Sequence, residues 1–246
     1  MKFCIIIPTY NNEATLYDVV SRALSVCRDV IVVNDGSTDN TIDVLLSLRE
    51  AVRIISYTPN KGKGYALRYG FREARGKGYD YAITLDADGQ HRPEEIHKLL
   101  AAVDWKSGND EKVLAVGCRN LNAAGIPVSN IFANRFSNFW FCLQTGIRLP
   151  DTQTGFRLYP LRHLPCLGIL TNRYESELEL LVLSAWRGVR LKPIPVSVSY
   201  PKDRVSHFRP FTDFFRISLL NTFLCFLAVV YGYPRILFNK LKGCKQ

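Results

Sequence analysis

The chain has 246 residues, 47% hydrophobic and 22% charged, with no repeat and no low-complexity tract. That length and mix exclude a disordered chain and leave room for one large α/β unit with a real core, but not comfortably for two. The net charge of +10 raises nucleic acid as a partner, yet no nucleic-acid motif or dense basic stripe appears, so that class is set aside.

The N-terminal segment has one charge and a very short apolar run before Pro8, which excludes a signal peptide and predicts a buried first strand. β-Branched runs at 3–8, 30–34, 52–57, 81–85 and 113–118 alternate with helical spacing at 13–26, 41–49, 64–74 and 93–103. This alternation predicts an α/β fold, a Rossmann-like, mainly parallel sheet flanked by helices, with ligands beyond the carboxyl ends of the strands. A polar turn at 109–112 and a loop at 123–129 lead into an aromatic helix at 131–143. Beyond Asp151 the alternation loses regularity, with a helix expected at 174–186 and an extended run at 189–200. The expected organisation is a catalytic unit over 1–211 and a basic, apolar segment over 212–246.

Seven scattered cysteines (Cys4, Cys27, Cys118, Cys142, Cys166, Cys225, Cys244) form no Cys-x-x-Cys pair. They predict reduced thiols in the cytosol and not a disulfide framework or zinc knuckle. From Pro201 onward eight Lys/Arg stand against two Asp, and residues 217–234 carry no charge between Arg216 and Arg235. Spanning a bilayer takes roughly 20 apolar residues, and Ser218, Asn221, Thr222, Gly232 and Pro234 interrupt this run. It reads as a membrane-contacting helix, peripheral or monotopic on the cytoplasmic face. A single span and a buried packing helix are the alternatives.

The sharpest local feature is Asp86-Ala87-Asp88-Gly89-Gln90-His91, directly after the apolar run 81–85. Two carboxylates one residue apart at a strand end can both face the ligand crevice, where hard oxygen donors suit Mg²⁺ or Mn²⁺. Such an ion would neutralise a departing diphosphate. An acidic turn with a helix cap uses the same residue types. A second strand ends in Asn34-Asp35-Gly36-Ser37-Thr38-Asp39, where Thr38 or Asp39 can cap the next helix and Asp35 can reach a base or ribose. The first strand is followed by Pro8-Thr9-Tyr10-Asn11-Asn12-Glu13 and not by Gly-x-Gly-x-x-Gly, which argues against a dinucleotide oxidoreductase.

These three segments, with the loop Asn60-Lys61-Gly62-Lys63-Gly64, together resemble glycosyltransferase family 2, especially its dolichyl- or polyprenyl-phosphate sugar synthase branch. The resemblance implies the GT-A fold. It implies that Pro8, Tyr10, Asn12, Glu13, Asp35, Lys63, Asp86, Ala87 and Asp88 surround the nucleotide sugar, and that Asp86 and Asp88, with Gln90 as a third ligand, hold Mg²⁺ or Mn²⁺. Arg119 and Arg135 resemble the family's acceptor-phosphate arginines, a role that suits a planar guanidinium fork. Gly155 and Arg157, in Asp151-Thr152-Gln153-Thr154-Gly155-Phe156-Arg157, resemble its acceptor-side segment. Arg204-Val205-Ser206-His207 resembles its Arg-x-Ser-Lys segment that closes over the diphosphate, with His207 where the family has lysine.

On the expected helix 174–186, Glu175 and Glu179 share a face and Glu177 points elsewhere. One of the three, Glu177 foremost, would serve as general base toward a hydroxyl acceptor or position the sugar, whereas a phosphate acceptor needs no base. The implied reaction is an in-line, inverting displacement in which Asp88 and Arg204 help stabilise the leaving diphosphate. The partners are a nucleoside-diphosphate sugar of the GDP-mannose or UDP-glucose type, a polyprenyl or dolichyl phosphate, and a membrane surface. Two other readings are a same-fold transferase acting on a hydroxyl of a lipid or glycan, and a catalytically silent nucleotide-sugar or membrane-binding module.

Overall fold

A computed structural model describes residues 1–105, 112–121, 128–165, 171–199 and 210–243. In chain order the first half runs β1 (Phe3–Thr9), α1 (Leu16–Val26), β2 (Val30–Asp35), α2 (Thr41–Leu48), β3 (Arg53–Tyr57), α3 (Lys63–Gly76) and β4 (Tyr81–Thr84). A 3-10 turn over Pro93–Glu95 and the short α4 (Ile96–Leu100) stand where one helix over 93–103 was expected. The second half has β5 (Val113–Arg119), α5 (Val128–Thr145), β6 (Arg157–Pro160), α6 (Glu175–Trp186) and β7 (Arg190–Val196). It closes with α7 (Pro210–Leu227), a π-helical stretch Ala228–Gly232 and α8 (Tyr233–Gly243).

The seven strands form one sheet in the order β3-β2-β1-β4-β6-β5-β7. β1 pairs parallel with β2 and β4, β2 with β3, and β5 with β7, while β6 runs antiparallel to both neighbours. The sheet is therefore mainly parallel, with one reversed strand that the sequence analysis did not anticipate. β6 has four residues, all buried, too few for periodicity to register. β2 and β4 are buried from end to end, as expected of strands covered on both faces.

Side chains alternate between two cores. Ile5 and Ile7 face Leu16, Val20, Leu45 and Ile96 of α1, α2 and α4. Cys4 and Ile6 face the other core, which holds Leu67 and Phe71 of α3, Phe141 of α5, Leu181 and Trp186 of α6, and Leu220 and Leu224 of α7. The five described cysteines are all free thiols.

The C-terminal helix both packs and exposes apolar surface. Leu220, Leu224 and Ala228 are at most 8% exposed against the core, whereas Phe215, Leu219, Phe223, Phe226, Val229 and Leu237 are exposed. Polar contacts dock it: Gln144 Nε2 donates to Asn221 Oδ1 at 3.0 Å, Trp186 Nε1 to the Gln144 carbonyl at 2.8 Å, and Tyr233 Oη to the Leu143 carbonyl. A Cβ at Gly232 would lie 2.5 Å from the Trp186 indole, so glycine is what lets the helix approach. By length and composition alone Phe215–Asn239 could cross a membrane.

Candidate active site

The loops after β1 and β2 are knitted into one body. Asn11 N donates to Ser37 Oγ at 3.0 Å, Asn12 N to Thr41 Oγ1 at 2.9 Å, Thr38 N to Asn11 Oδ1 at 2.8 Å and Asn40 N to Glu13 Oε2 at 3.0 Å. Asp39 Oδ1 accepts from Thr41 N at 3.0 Å, in the first turn of α2. Glu13 thus shapes this rim through the backbone of the neighbouring loop and Asn12 through its own amide on the Thr41 hydroxyl, and Tyr10 stands half-buried beside them. Pro8 is buried within β1.

Asp35, at the end of β2, is 3% exposed and committed to the start of α3. It accepts from Lys61 N at 2.7 Å, Gly62 N at 2.8 Å and Asn60 Nδ2 at 2.9 Å. Burial pushes its carboxyl above the usual value even though these donors work in the opposite direction. The carboxylate expected at a base or ribose therefore holds the 60–62 loop, with Gly62 at φ 100°. Lys61 Nζ lies over the Tyr65 ring, 4.7 Å from its centroid.

That loop aims Lys63 at the end of β4. Lys63 Nζ is 2.7 Å from Asp86 Oδ1 and 2.8 Å from Glu177 Oε2, with side-chain exposures of 17% for Lys63, 25% for Asp86 and 8% for Glu177. Burial alone would raise the Asp86 carboxyl, but Lys63 wins and holds it below the usual range. Burial opposes the Lys63 ammonium, and the two carboxylates more than offset it, so its pKa is raised. Glu177 Oε1 is buried without a hydrogen-bond partner among the described residues. Glu175 and Glu179 do not join this cluster: Glu179 Oε2 accepts from Thr171 N at 2.6 Å, and burial raises its pKa.

Ala87 is buried and its carbonyl accepts from Thr15 Oγ1 at 2.6 Å. Asp88 is half-buried, accepting from Gln90 N at 3.1 Å and from the Gln90 side-chain amide. His91 is 4% exposed, stacked on Phe156 at 5.3 Å, and burial pushes its pKa down to about 4, so it is neutral here near pH 7. Thr84 Oγ1 donates to the Gly155 carbonyl at 2.6 Å, which presses Gly155 against Asp86. A Cβ there would lie 2.4 Å from Asp86 Oδ2. Gly155, expected on the acceptor side, is thus the wall of the Asp86 carboxylate.

Among the expected arginines, Arg157 needs the clearest correction. It is 0% exposed, donating to the Thr152 carbonyl at 2.9 Å, the Glu177 carbonyl at 2.8 Å and Tyr159 Oη at 3.1 Å. Its guanidinium ties α6 to the 152–157 segment from inside and presents nothing to an acceptor. Arg119 is forked onto the fully buried Asp151, Nε at 2.6 Å and Nη2 at 3.0 Å. Asn134 Nδ2 at 2.6 Å and Gln153 N at 3.1 Å also donate to Asp151. Burial would raise the Asp151 carboxyl, but Arg119 outweighs it and holds it low. Arg135, next to Asn134 on α5, is exposed. Arg204 and His207 lie outside the described residues.

The donor set suits a hard divalent ion. Asp86 and Asp88 supply carboxylate oxygens at one strand end, and Gly155 leaves the space beside Asp86 that any side chain would fill. Lys63 engages Asp86 through Oδ1. Among the described residues no trio of His, Cys, Asp and Glu could hold a metal by itself. An ion here would complete its shell with water and substrate phosphate, as Mg²⁺ commonly does.

Comparison with known proteins assigns this architecture. The profile of Glycosyl transferase family 2 matches residues 4–120. The UDP-N-acetylglucosamine–dolichyl-phosphate N-acetylglucosaminyltransferase of Methanococcus voltae is 30% identical over 217 residues, covering 80% of this chain and 85% of that protein. The chain belongs to glycosyltransferase family 2. This transferase is also 33% identical over 205 residues to the polyprenol monophosphomannose synthase of Mycolicibacterium smegmatis, covering 78% of this chain and 76% of the relative. Its fold matches that of the glucosyl-3-phosphoglycerate synthase of Mycobacterium tuberculosis, crystallised with Mn²⁺, UDP and phosphoglyceric acid. The TM-score is 0.66 at 18% identity, over 92% of this chain and 78% of that one.

Three features of the site escaped sequence reasoning. Asp151 stands within a local motif, but its partner Arg119 lies 32 positions away. The Lys63–Glu177 contact joins the starts of two helices more than a hundred residues apart. The polar face of α5, where Ser137 meets Thr152 at 2.8 Å and Asn138 accepts from Thr152 N at 3.0 Å, looked like part of an aromatic helix. In each case the signal is a three-dimensional pairing that one chain's spacing does not carry.

Proposed function

We propose that this transferase moves a hexose, with inversion, from a nucleoside-diphosphate sugar of the GDP-mannose or UDP-glucose type to a polyprenyl or dolichyl phosphate at the cytoplasmic face of a membrane. The observation that carries the acceptor is the state of Glu177, tied to Lys63 at 2.8 Å. A carboxylate oxygen occupied by an ammonium is not open to a hydroxyl proton, which suits an acceptor that is already ionised. The names of the Methanococcus and Mycolicibacterium relatives, one a dolichyl-phosphate and the other a polyprenol-monophosphate enzyme, support the same choice.

In this mechanism Asp86, Asp88 and Gln90 hold Mg²⁺ or Mn²⁺, which supplies charge stabilisation for the diphosphate leaving group. Lys63 keeps Asp86 ionised and adds a fixed positive charge beside the departing group. Glu177 Oε1, buried and unpartnered, accepts a hydroxyl of the donor sugar and sets its orientation. Tyr10, Asn12, Glu13 and Asp35 form or brace the nucleotide rim. Asp151 holds Arg119 in one orientation near the acceptor side, and exposed Arg135 meets the acceptor phosphate. The exposed apolar side of α7 and α8 rests on the bilayer, and the free thiols fit a reducing compartment.

The test offers a panel of nucleotide sugars with a short polyprenyl phosphate, and in parallel with the matching polyprenol. Sugar transfer to the phosphate and not to the alcohol is the expected result and names the donor. Transfer to the alcohol would overturn the acceptor assignment in favour of a hydroxyl, and donor binding without turnover would favour a silent module.

A further inference from the structure

The ends of three elements far from Asp86 enclose a hollow of about 430 Å³ lined by Arg75, Tyr79, Arg162, Leu164 and Arg187. Arg75 is in the last turn of α3, Arg162 in the 3-10 turn Leu161–His163 after β6, and Arg187 caps the C-terminus of α6. Active-site residues Lys63 and Glu177 begin the same two helices, so the hollow lies at the opposite end of both.

Each guanidinium is braced. Arg75 donates from Nε at 2.9 Å and Nη2 at 2.6 Å to the Leu161 carbonyl, Arg187 Nη1 donates to the Leu164 carbonyl at 3.1 Å, and Arg162 Nη2 lies 3.4 Å from Asp80 Oδ1. Helix C-termini favour basic side chains, which accounts for Arg75 and Arg187 singly. It does not account for their convergence with Arg162 on one cavity. Three fixed guanidinium charges around one hollow are the chemistry that attracts phosphate.

The position of α8 bears on the source of that phosphate. Asn239 Nδ2 donates to the Trp186 carbonyl at 3.3 Å, and a Cβ at Gly188 would lie 3.1 Å from the same amide. α8 therefore crosses the chain on both sides of Arg187. On α8, Leu237, Phe238 and Leu241 are exposed by 60%, 56% and 59%. A bilayer that receives those side chains brings its headgroup layer to the arginines.

We propose that this arginine-lined hollow is a second anion site, separate from the catalytic end, that takes a phosphate group. A lipid headgroup and free phosphate share this chemistry, and the test separates them. Wild type, Arg162→Gln/Arg187→Gln and a charge-matched control, Arg28→Gln/Arg49→Gln, are compared in two arms. One arm measures partition onto phosphatidylcholine vesicles with and without phosphatidic acid; the other titrates inorganic phosphate by calorimetry.

The expected result is a loss of about fivefold in phosphatidic-acid-dependent partition for each pocket arginine removed, with the control close to wild type. Loss of inorganic phosphate binding in the pocket variant as well identifies a site that free phosphate fills; loss in the vesicle arm alone identifies a lipid headgroup. A pocket variant that matches the control in both arms overturns the proposal. If the double variant melts early, Arg162→Gln alone, with a side chain 68% exposed, carries the same comparison.

Discussion

Asp151 shows how a residue without a chemical role governs the site. Its carboxylate is buried and receives Arg119, Asn134 and the Gln153 amide, so removing the charge leaves a half-buried guanidinium fork without this carboxylate. Breaking such a pair costs about 3 kcal/mol. Because the folded pKa lies below the ordinary 3.8, the unfolded chain takes up the proton first as pH falls. The stabilisation is therefore complete above pH 3.8 and disappears as pH drops through the folded value. Urea unfolding should place Asp151→Asn about 3 kcal/mol below wild type near neutral pH, with the gap closing below pH 3.8; a gap independent of pH would contradict the pairing. Asp86, Asp88 and Lys63 stand out in the sequence because they sit in local motifs. Arg157 was misassigned because a motif does not reveal that a side chain turns inward.

At the scale of elements, local periodicity located the long strands and helices, and it failed where tertiary pairing decides. β6 exists because Ile83 and Ala115 present edges on either side of Leu158. α3 begins at Lys63 because Asp35, from another strand, captures the amides of Lys61 and Gly62. The docking of the C-terminal helix depends on Gly232 beneath the Trp186 indole. Gly232→Leu should overpack this contact, costing about 1–3 kcal/mol, and expose Trp186. A lower melting temperature with red-shifted tryptophan emission is the expected readout, and unchanged emission would show that the helix docks elsewhere.

For the whole molecule, β-α alternation predicted the mainly parallel sheet, and the fold follows that plan with one reversed strand. The basic, apolar tail was legible by composition, but how much of it packs was not, since the same residues serve both purposes. Its outer face, with Phe226 66% and Val229 69% exposed, is the surface that the proposed membrane contact uses. Burying a phenylalanine side chain is worth about 1.5–3 kcal/mol, so Phe226→Glu should weaken vesicle binding by roughly tenfold or more while leaving the fold intact. Undiminished binding would remove this face from the membrane contact.

Whether the carboxylates at the end of β4 serve a metal-dependent sugar transfer to a polyprenyl phosphate is tested by comparing wild type with Asp88→Ala in that reaction. The expected product depends on added Mg²⁺ or Mn²⁺ in wild type and falls in the variant by about two orders of magnitude or more, with an unchanged melting temperature. Transfer that survives either the substitution or chelation of the metal would contradict that role.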